Sequence, residues 1–221
     1  MEYHIKQEEW EVIFKKLQII KGIHVTNQGQ TRKFIEGVWC IARSGCQWRL
    51  LPKMYGGWRA VHMRFKYWSN KGVWRRIFNL VVDQPDMEAV MIDATIVRAH
   101  ACSAGYKKGS QDQECLGRSK GGFTTKIHTL VDALGNPLKF ILTPGQRNDI
   151  TQAESLVKDL KETMVIADKA YDSNALIELI EGNNSVPVIP PKKNRKTQRG
   201  YDSHVYKERH LIECFFGKIK H

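Results

Sequence analysis

The run Ala89-Val-Met-Ile-Asp93-Ala-Thr-Ile-Val97 constrains the fold more than any other stretch. Its β-branched, almost wholly apolar character fits a buried strand. An ionised carboxylate in the middle of such a strand is costly unless it is paired. Asp93 also has no turn or helix cap to explain it. A chain built around this run therefore needs a covered sheet and a partner for one buried acid.

The residues that follow predict the rest of that sheet. Phe123–Val131 alternates like a strand, Asp132-Ala-Leu-Gly-Asn-Pro137 turns the chain, and Leu138–Thr143 returns it as a hairpin. Thr151-Gln-Ala-Glu154 reads as a capping box that opens a helix running to about Lys161. Met164–Asp168 is a short strand ending in a carboxylate, and Asp172-Ser173 caps a helix through Gly182. Val186-Pro-Val-Ile-Pro190 is an edge strand, because proline cannot donate to a ladder. Gly105–Gly122 has no periodicity and predicts a loop. The order β-β-β-α-β-α-β-α describes an α/β domain, a mixed sheet with helices on both faces.

Residues 1–85 read differently, as a small all-helical domain preceding the α/β domain of residues 86–221. Trp10, Phe14, Leu17 and Ile20 recur at helical spacing, and Phe34, Val38 and Ile41 do so after a start signal at Thr31. Gly45 closes that second helix. Two further helices follow, around Val61, Phe65 and Trp68 and around Trp74, Ile77 and Val81. All six tryptophans fall in this part, with Arg49, Lys53, Arg59, Arg64, Lys66, Lys71, Arg75 and Arg76 around them. Short helices, Gly-containing turns, an aromatic core and a basic surface fit a helix-turn-helix-like DNA-binding module.

Charge supports a polyanionic partner. The net value of +12 divides into +8 for residues 1–86, −2 for 87–189 and +6 for 190–221. The five cysteines include no CxxC, so neither a zinc site nor a disulfide framework is indicated. The polar N-terminus is unlike a signal peptide, and no apolar run reaches membrane-spanning length. A cytoplasmic protein with no membrane partner is expected.

The last stretch, Tyr206–Lys220, predicts a helix. At about 100° per residue, Tyr206, Arg209, Glu213 and Lys220 share one stripe, beside an apolar stripe of Val205, Ile212, Phe216 and Ile219. A solvated face with an Arg–Glu pair produces the same pattern. Other acids decide between the readings. Asp149, Asp172 and Asp132 sit where helix starts and turns explain them. Asp168 ends the strand that a right-handed crossover would set beside the first. Asp93, Asp168 and Glu213 could then form a cluster of three carboxylates. Mutual repulsion makes such a cluster stable mainly around divalent cations, and hard oxygen ligands favour Mg²⁺. Two ions about 3.5–4 Å apart would clamp the attacking and leaving oxygens of a phosphoryl displacement.

The blocks VMIDATIVRAH, GGFTTKIHTLVDALGNPLKFILTPGQRNDITQA, VIADKAYDS and Y-x2-R-x3-E-x6-K resemble the DDE transposases of bacterial insertion sequences. The similarity is to the insertion sequence five family with its Tyr-Arg-Glu-Lys signature, and it extends through TRKFIEGVWC and GCQWRLLP. It implies an RNase H-like fold and a Mg²⁺- or Mn²⁺-dependent cut at terminal inverted repeats, followed by strand transfer. It also implies Asp93, Asp168 and Glu213 as catalytic metal ligands, and Tyr206, Arg209 and Lys220 as ligands of the DNA end. Lys192, Lys193 and Arg195 in the preceding basic loop are further DNA-binding candidates, and His100 and His128 are candidates for supporting groups. Double-stranded DNA, both repeat and target, is the expected partner of a nucleoid-associated homo-oligomer. The chain stops at His221, where similar proteins continue, so a C-terminal truncation is expected. A truncated DNA-binding remnant or repressor, and a structure-specific nuclease on the same fold, stand as alternatives.

Overall fold

Side-chain alternation along the central strand arranges the second half of the chain. The computed structural model describes residues 4–82, 84–99 and 114–220. The chain divides between Asp83 and Gln84 into two compact units.

The first unit holds α1 (Gln7–Ile19), α2 (Gln28–Ser44), α3 (Trp58–Asn70) and α4 (Val73–Val81), with two 3-10 turns between α2 and α3. Trp10, Leu17, Phe34, Val61, Trp68 and Val73 form its core. The start of α2 is not Thr31. Asn27 caps it by accepting from the Gln30 amide, and Thr31 is buried one turn inside. Gly45, at φ 64°, closes α2 in the left-handed region that suits glycine. Gly72, at φ 63°, makes the two-residue turn between α3 and α4. The buried Glu36 carboxylate accepts from the Ile5 amide and the Arg32 guanidinium, which ties the N-terminal segment to α2.

The second unit is a six-stranded mixed sheet: β1 (Ala89–Arg98), β2 (Gly117–Ser119), β3 (Gly122–Val131), β4 (Pro137–Pro144), β5 (Met164–Ile166) and β6 (Val186–Val188). Antiparallel pairing joins β1 to β3, and β3 to both β2 and β4; β1, β5 and β6 run parallel. Alternate residues of β1 pack against different helices. Val90 and Ile92 join a core with α5 (Ile150–Val157) and α6 (Asn174–Gly182). Ala89 and Met91 join a second core with Ile212, Phe215 and Phe216 of α7 (His210–Lys220). A three-stranded antiparallel meander continued by two parallel strands, with helices on both faces, is an RNase H-like fold. Among the described residues, no helix is long and apolar enough to cross a membrane.

Several local expectations are corrected. Gly117–Ser119 is a strand rather than loop, while the first half of the expected loop, 105–113, lies outside the described residues. The Thr151–Glu154 capping box is absent: α5 begins at Ile150, the Thr151 hydroxyl donates to the Asn148 carbonyl, and the helix ends at Val157. Tyr206 to Arg209 lies in a 3-10 turn (Val205–Arg209) leading into α7, and Phe215 rather than the exposed Ile219 completes the buried face.

Asp172 does not cap α6; the Ser173 hydroxyl does, accepting from the Leu176 amide. The buried Asp172 carboxylate instead accepts from the Lys192 amide at 2.8 Å, Arg195 Nε at 2.6 Å and Arg199 Nη2 at 3.0 Å. Burial alone would raise its pKa, but these donors together hold it below the ordinary aspartate range. A depressed folded-state pKa contributes stability that is complete above the unfolded value of about 3.9 and is lost as pH falls through the folded value. Asp172→Asn leaves two guanidinium groups short of a counter-charge and should cost about 3 kcal/mol at pH 7. Urea denaturation should show that loss shrinking as the pH is lowered below about 4. A loss independent of pH would contradict the assignment.

Candidate active site

Register brings the first two acids together. Met91 of β1 pairs in parallel with Ile166 of β5, so two residues further along each chain stand Asp93 and Asp168. The same parity places Asp93 on the α7 face, with Ala89 and Met91. Asp168 lies just past β5, where its Oδ1 accepts from the Ala170 amide at 2.8 Å and caps the turn Lys169–Tyr171.

The third acid arrives through an arginine. Arg209 Nη1 donates to Asp93 Oδ2 at 3.0 Å, and Arg209 Nη2 donates to Glu213 Oε1 one helical turn along. One guanidinium therefore links a sheet carboxylate to a helix carboxylate. Asp93 Oδ1 is also occupied, by the Ala94 amide at 2.7 Å. Glu213 is the most exposed of the three acids, with 55% of its side chain accessible.

The electrostatics follow from this packing. Burial raises the Asp93 pKa, the Ala94 amide and Arg209 pull it down, and Asp168 and Asp149 push it up, leaving it above the ordinary range. Burial disfavours charge on Arg209, but Asp93, Glu213 and Tyr206 outweigh that and hold it more firmly protonated. Tyr206 is raised, first by burial, while Arg209 lowers it and Asp168 raises it. Its ring meets Tyr201 edge-on, at 5.6 Å between centroids.

Hard carboxylate oxygens suit a divalent cation such as Mg²⁺. Among the described residues, however, no three acid, imidazole or thiol groups stand where they could jointly hold one. The chemistry of these carboxylates suits the ion, and Arg209 engages one oxygen each of Asp93 and Glu213.

The remaining candidates separate. Lys220 is exposed about 10 Å further along α7 than Glu213. Lys192 and Arg195 are turned onto Asp172, and Arg195 also donates to Asn174 Oδ1, whereas Lys193 is exposed. His100 lies outside the described residues. His128 is fully buried, three residues from the end of β3 and on the opposite parity from Asp93. Its Nε2 shares a hydrogen bond with Thr143 Oγ1 at 2.8 Å, and burial lowers its pKa more than Asp149 restores it.

Two groups near the acids escaped sequence reasoning. Asp149, read as a helix start, pairs with Lys126 Nζ at 2.8 Å and adds its charge to the field at Asp93. Tyr171 is buried, its hydroxyl has no hydrogen-bond partner among the described residues, and burial together with Asp93, Asp149 and Asp168 raises its pKa. The only available signal was the short spacing of Tyr171 from Asp168.

A mixed sheet of this topology, with one acid inside β1, a second just past the neighbouring β5 and a third on the covering helix, defines an RNase H-like enzyme class. Residues 84–221 match the family described as "Transposase DDE domain", and residues 5–78 match "Putative transposase of IS4/5 family". The chain belongs to the DDE transposases of insertion sequences. It is 46% identical over 99 residues to a "Putative transposase for insertion sequence element IS6501" of Brucella ovis, covering 44% of this chain and 76% of that one. It is 40% identical over 77 residues to "Uncharacterized protein y4sN" of Sinorhizobium fredii, covering 35% and 62% respectively. A solved piggyBac transposase synaptic complex with hairpin DNA aligns at 12% identity and a TM-score of 0.44, over 84% of this chain and about half (48%) of that one.

Titrating the carboxyl groups by ¹³C NMR should put the Asp93 midpoint above the free value of about 3.9. Replacing Asp168 with Asn should lower that midpoint, and Arg209→Gln should raise it. Movement in the opposite sense in either variant would show that these groups do not share a field.

Proposed function

We propose that Asp93, Asp168 and Glu213 hold divalent ions, Mg²⁺ or Mn²⁺, and that this transposase uses them to cut DNA at the terminal inverted repeats of its element and to join the freed end to target DNA. The observation that carries this reading is the single guanidinium binding Asp93 and Glu213 together beside Asp168. Arg209 supplies positive charge where three acids would otherwise repel one another, and it holds Glu213 of the helix near the sheet. Bound ions would supply Lewis-acid stabilisation of the attacking and leaving oxygens.

The chain's own groups have separate tasks. Asp93, half-buried, anchors the centre on β1, and Asp168 holds its place through the capped turn. Arg209, once freed from the carboxylates, has a planar fork suited to a phosphate beside the scissile bond. Tyr206 presents a ring and a hydroxyl on the same turn. Lys193 and Lys220 are exposed and meet the DNA backbone, whereas Lys192 and Arg195 shape the loop through Asp172. Assembly as a homo-oligomer on two DNA ends is part of this reading.

Two measurements test it. Asp93→Ala should abolish Mg²⁺-dependent cleavage of a duplex carrying the element's end while leaving its binding intact; retained cleavage would reject the metal-ligand role. Because Arg209 competes for the same oxygens, Arg209→Gln should bind Mn²⁺ about tenfold more tightly without DNA, the scale of one charge-assisted hydrogen bond. Unchanged or weaker Mn²⁺ binding by calorimetry would mean that Arg209 does not occupy the ion's ligands.

A further inference from the structure

The first unit has an uneven surface. Between Gly37 and Val82 the sequence has nine Lys and Arg and no Asp or Glu, whereas α1 opens with Glu8, Glu9 and Glu11, all exposed. Several of those cations serve the fold. Arg64 lies over the Phe34 and Trp68 rings and donates to the His24 carbonyl. Arg76 of α4 donates to the Lys21 and Lys71 carbonyls.

The outward cations gather on and beside α3. Arg59, Met63, Lys66 and Asn70 fall within about 60° of one another around the helix, and all four are exposed. No apolar contact needs that stripe, because α3 buries Val61 and Trp68 on its other side. Two guanidinium groups lie over the ring of Trp58, the first residue of α3. Arg59 is 5.3 Å from its ring centroid, and Arg49, from the 3-10 turn Trp48–Leu50, is 5.9 Å away. Stacking holds both forks at one end of the helix, so less side-chain entropy is lost when they meet an anion. Lys53 is exposed on the second 3-10 turn.

We propose that α3 is the element that enters the major groove of duplex DNA, with Arg49 and Arg59 stacked on Trp58 gripping the backbone at the groove edge and the stripe of Met63, Lys66 and Asn70 facing the bases. This rests on the reading that the transposase binds its element's ends, and it names the surface that does so. A 13-residue helix is about 20 Å long and 10–12 Å across, which matches a groove about 12 Å wide. Asparagine and lysine can pair with adenine and guanine edges respectively, and Met63 offers an apolar contact to a thymine methyl. The other helices are less suited. The first turn of α1 is acidic, and α2 carries its two exposed cations, Lys33 and Arg43, ten residues apart and commits Arg32 to Glu36. α4 commits Arg76 to its own chain and leaves Arg75 and Asn79 as its outward polar groups beside an exposed Val81.

The test uses the full chain and two labelled duplexes of equal length, one carrying the element's terminal repeat and one a scrambled sequence of the same composition. Anisotropy titrations across a salt series give affinity, discrimination and salt slope; near-UV circular dichroism of the tryptophans checks folding. Lys66→Ala and Asn70→Ala should each reduce the preference for the terminal repeat about tenfold. Arg49→Ala combined with Arg59→Ala should weaken both duplexes alike and flatten the salt slope by about two. Arg75→Ala and Asn79→Ala should leave the preference unchanged. Full discrimination in the Lys66 and Asn70 variants, or its loss in the Arg75 and Asn79 variants, would overturn the assignment to α3. A wild-type chain that binds neither duplex would instead defeat DNA-end binding itself, and this proposal with it.

Discussion

The guanidinium of Arg209 is the interaction on which the acidic centre depends. Two carboxylates cannot meet in a partly buried place, within the field of a third, unless a cation offsets their repulsion. Arg209 meets that requirement with atoms of the chain alone, one nitrogen on Asp93 and another on Glu213. Its effect also reaches the architecture. The pairing adds a polar tie to the apolar contact of Ile212, Phe215 and Phe216 with the sheet, and so fixes where the helix lies along β1. One guanidinium thus offsets the charge of a sheet carboxylate and a helix carboxylate at once.

Much of this was legible because it followed from periodicity. Asp93 stood out as an acid without a local excuse in an apolar run, and the parity of β1 then determined which helix it faces. Asp168 was legible through the crossover that brings β5 beside β1, and Glu213 through its spacing from Arg209. The Arg209–Asp93 pair joins residues 116 apart in sequence, and no local pattern carries such a contact. Asp172 and Thr151 misled for a different reason. Short polar side chains before a helix are interchangeable as caps, so an Asp-Ser pair does not say which residue caps and which is free for longer-range work. Ser173 took the cap and Asp172 took three partners from the basic loop. Asp149 was discounted by the same reasoning, although its charge reaches Asp93.

Net charge alone overstates how much basic surface is available to a polyanion. In the α/β unit, Lys192, Arg195 and Arg199 all bond to Asp172 through its buried carboxylate or carbonyl, so they shape the loop that displays Lys193. In the helical unit, Arg64 and Arg76 are likewise directed to backbone carbonyls. What separates these cations from the outward ones is the burial of what they stack on or bond to. Arg64 lies on Trp68, which is fully buried, and burial lowers its own pKa. Arg59 lies on Trp58, which is only half-buried, and keeps its fork at the surface. An aromatic ring at the rim of a core can therefore orient an arginine without enclosing it. Trp58, at the start of α3, differs in this from Trp68 at the centre of the bundle.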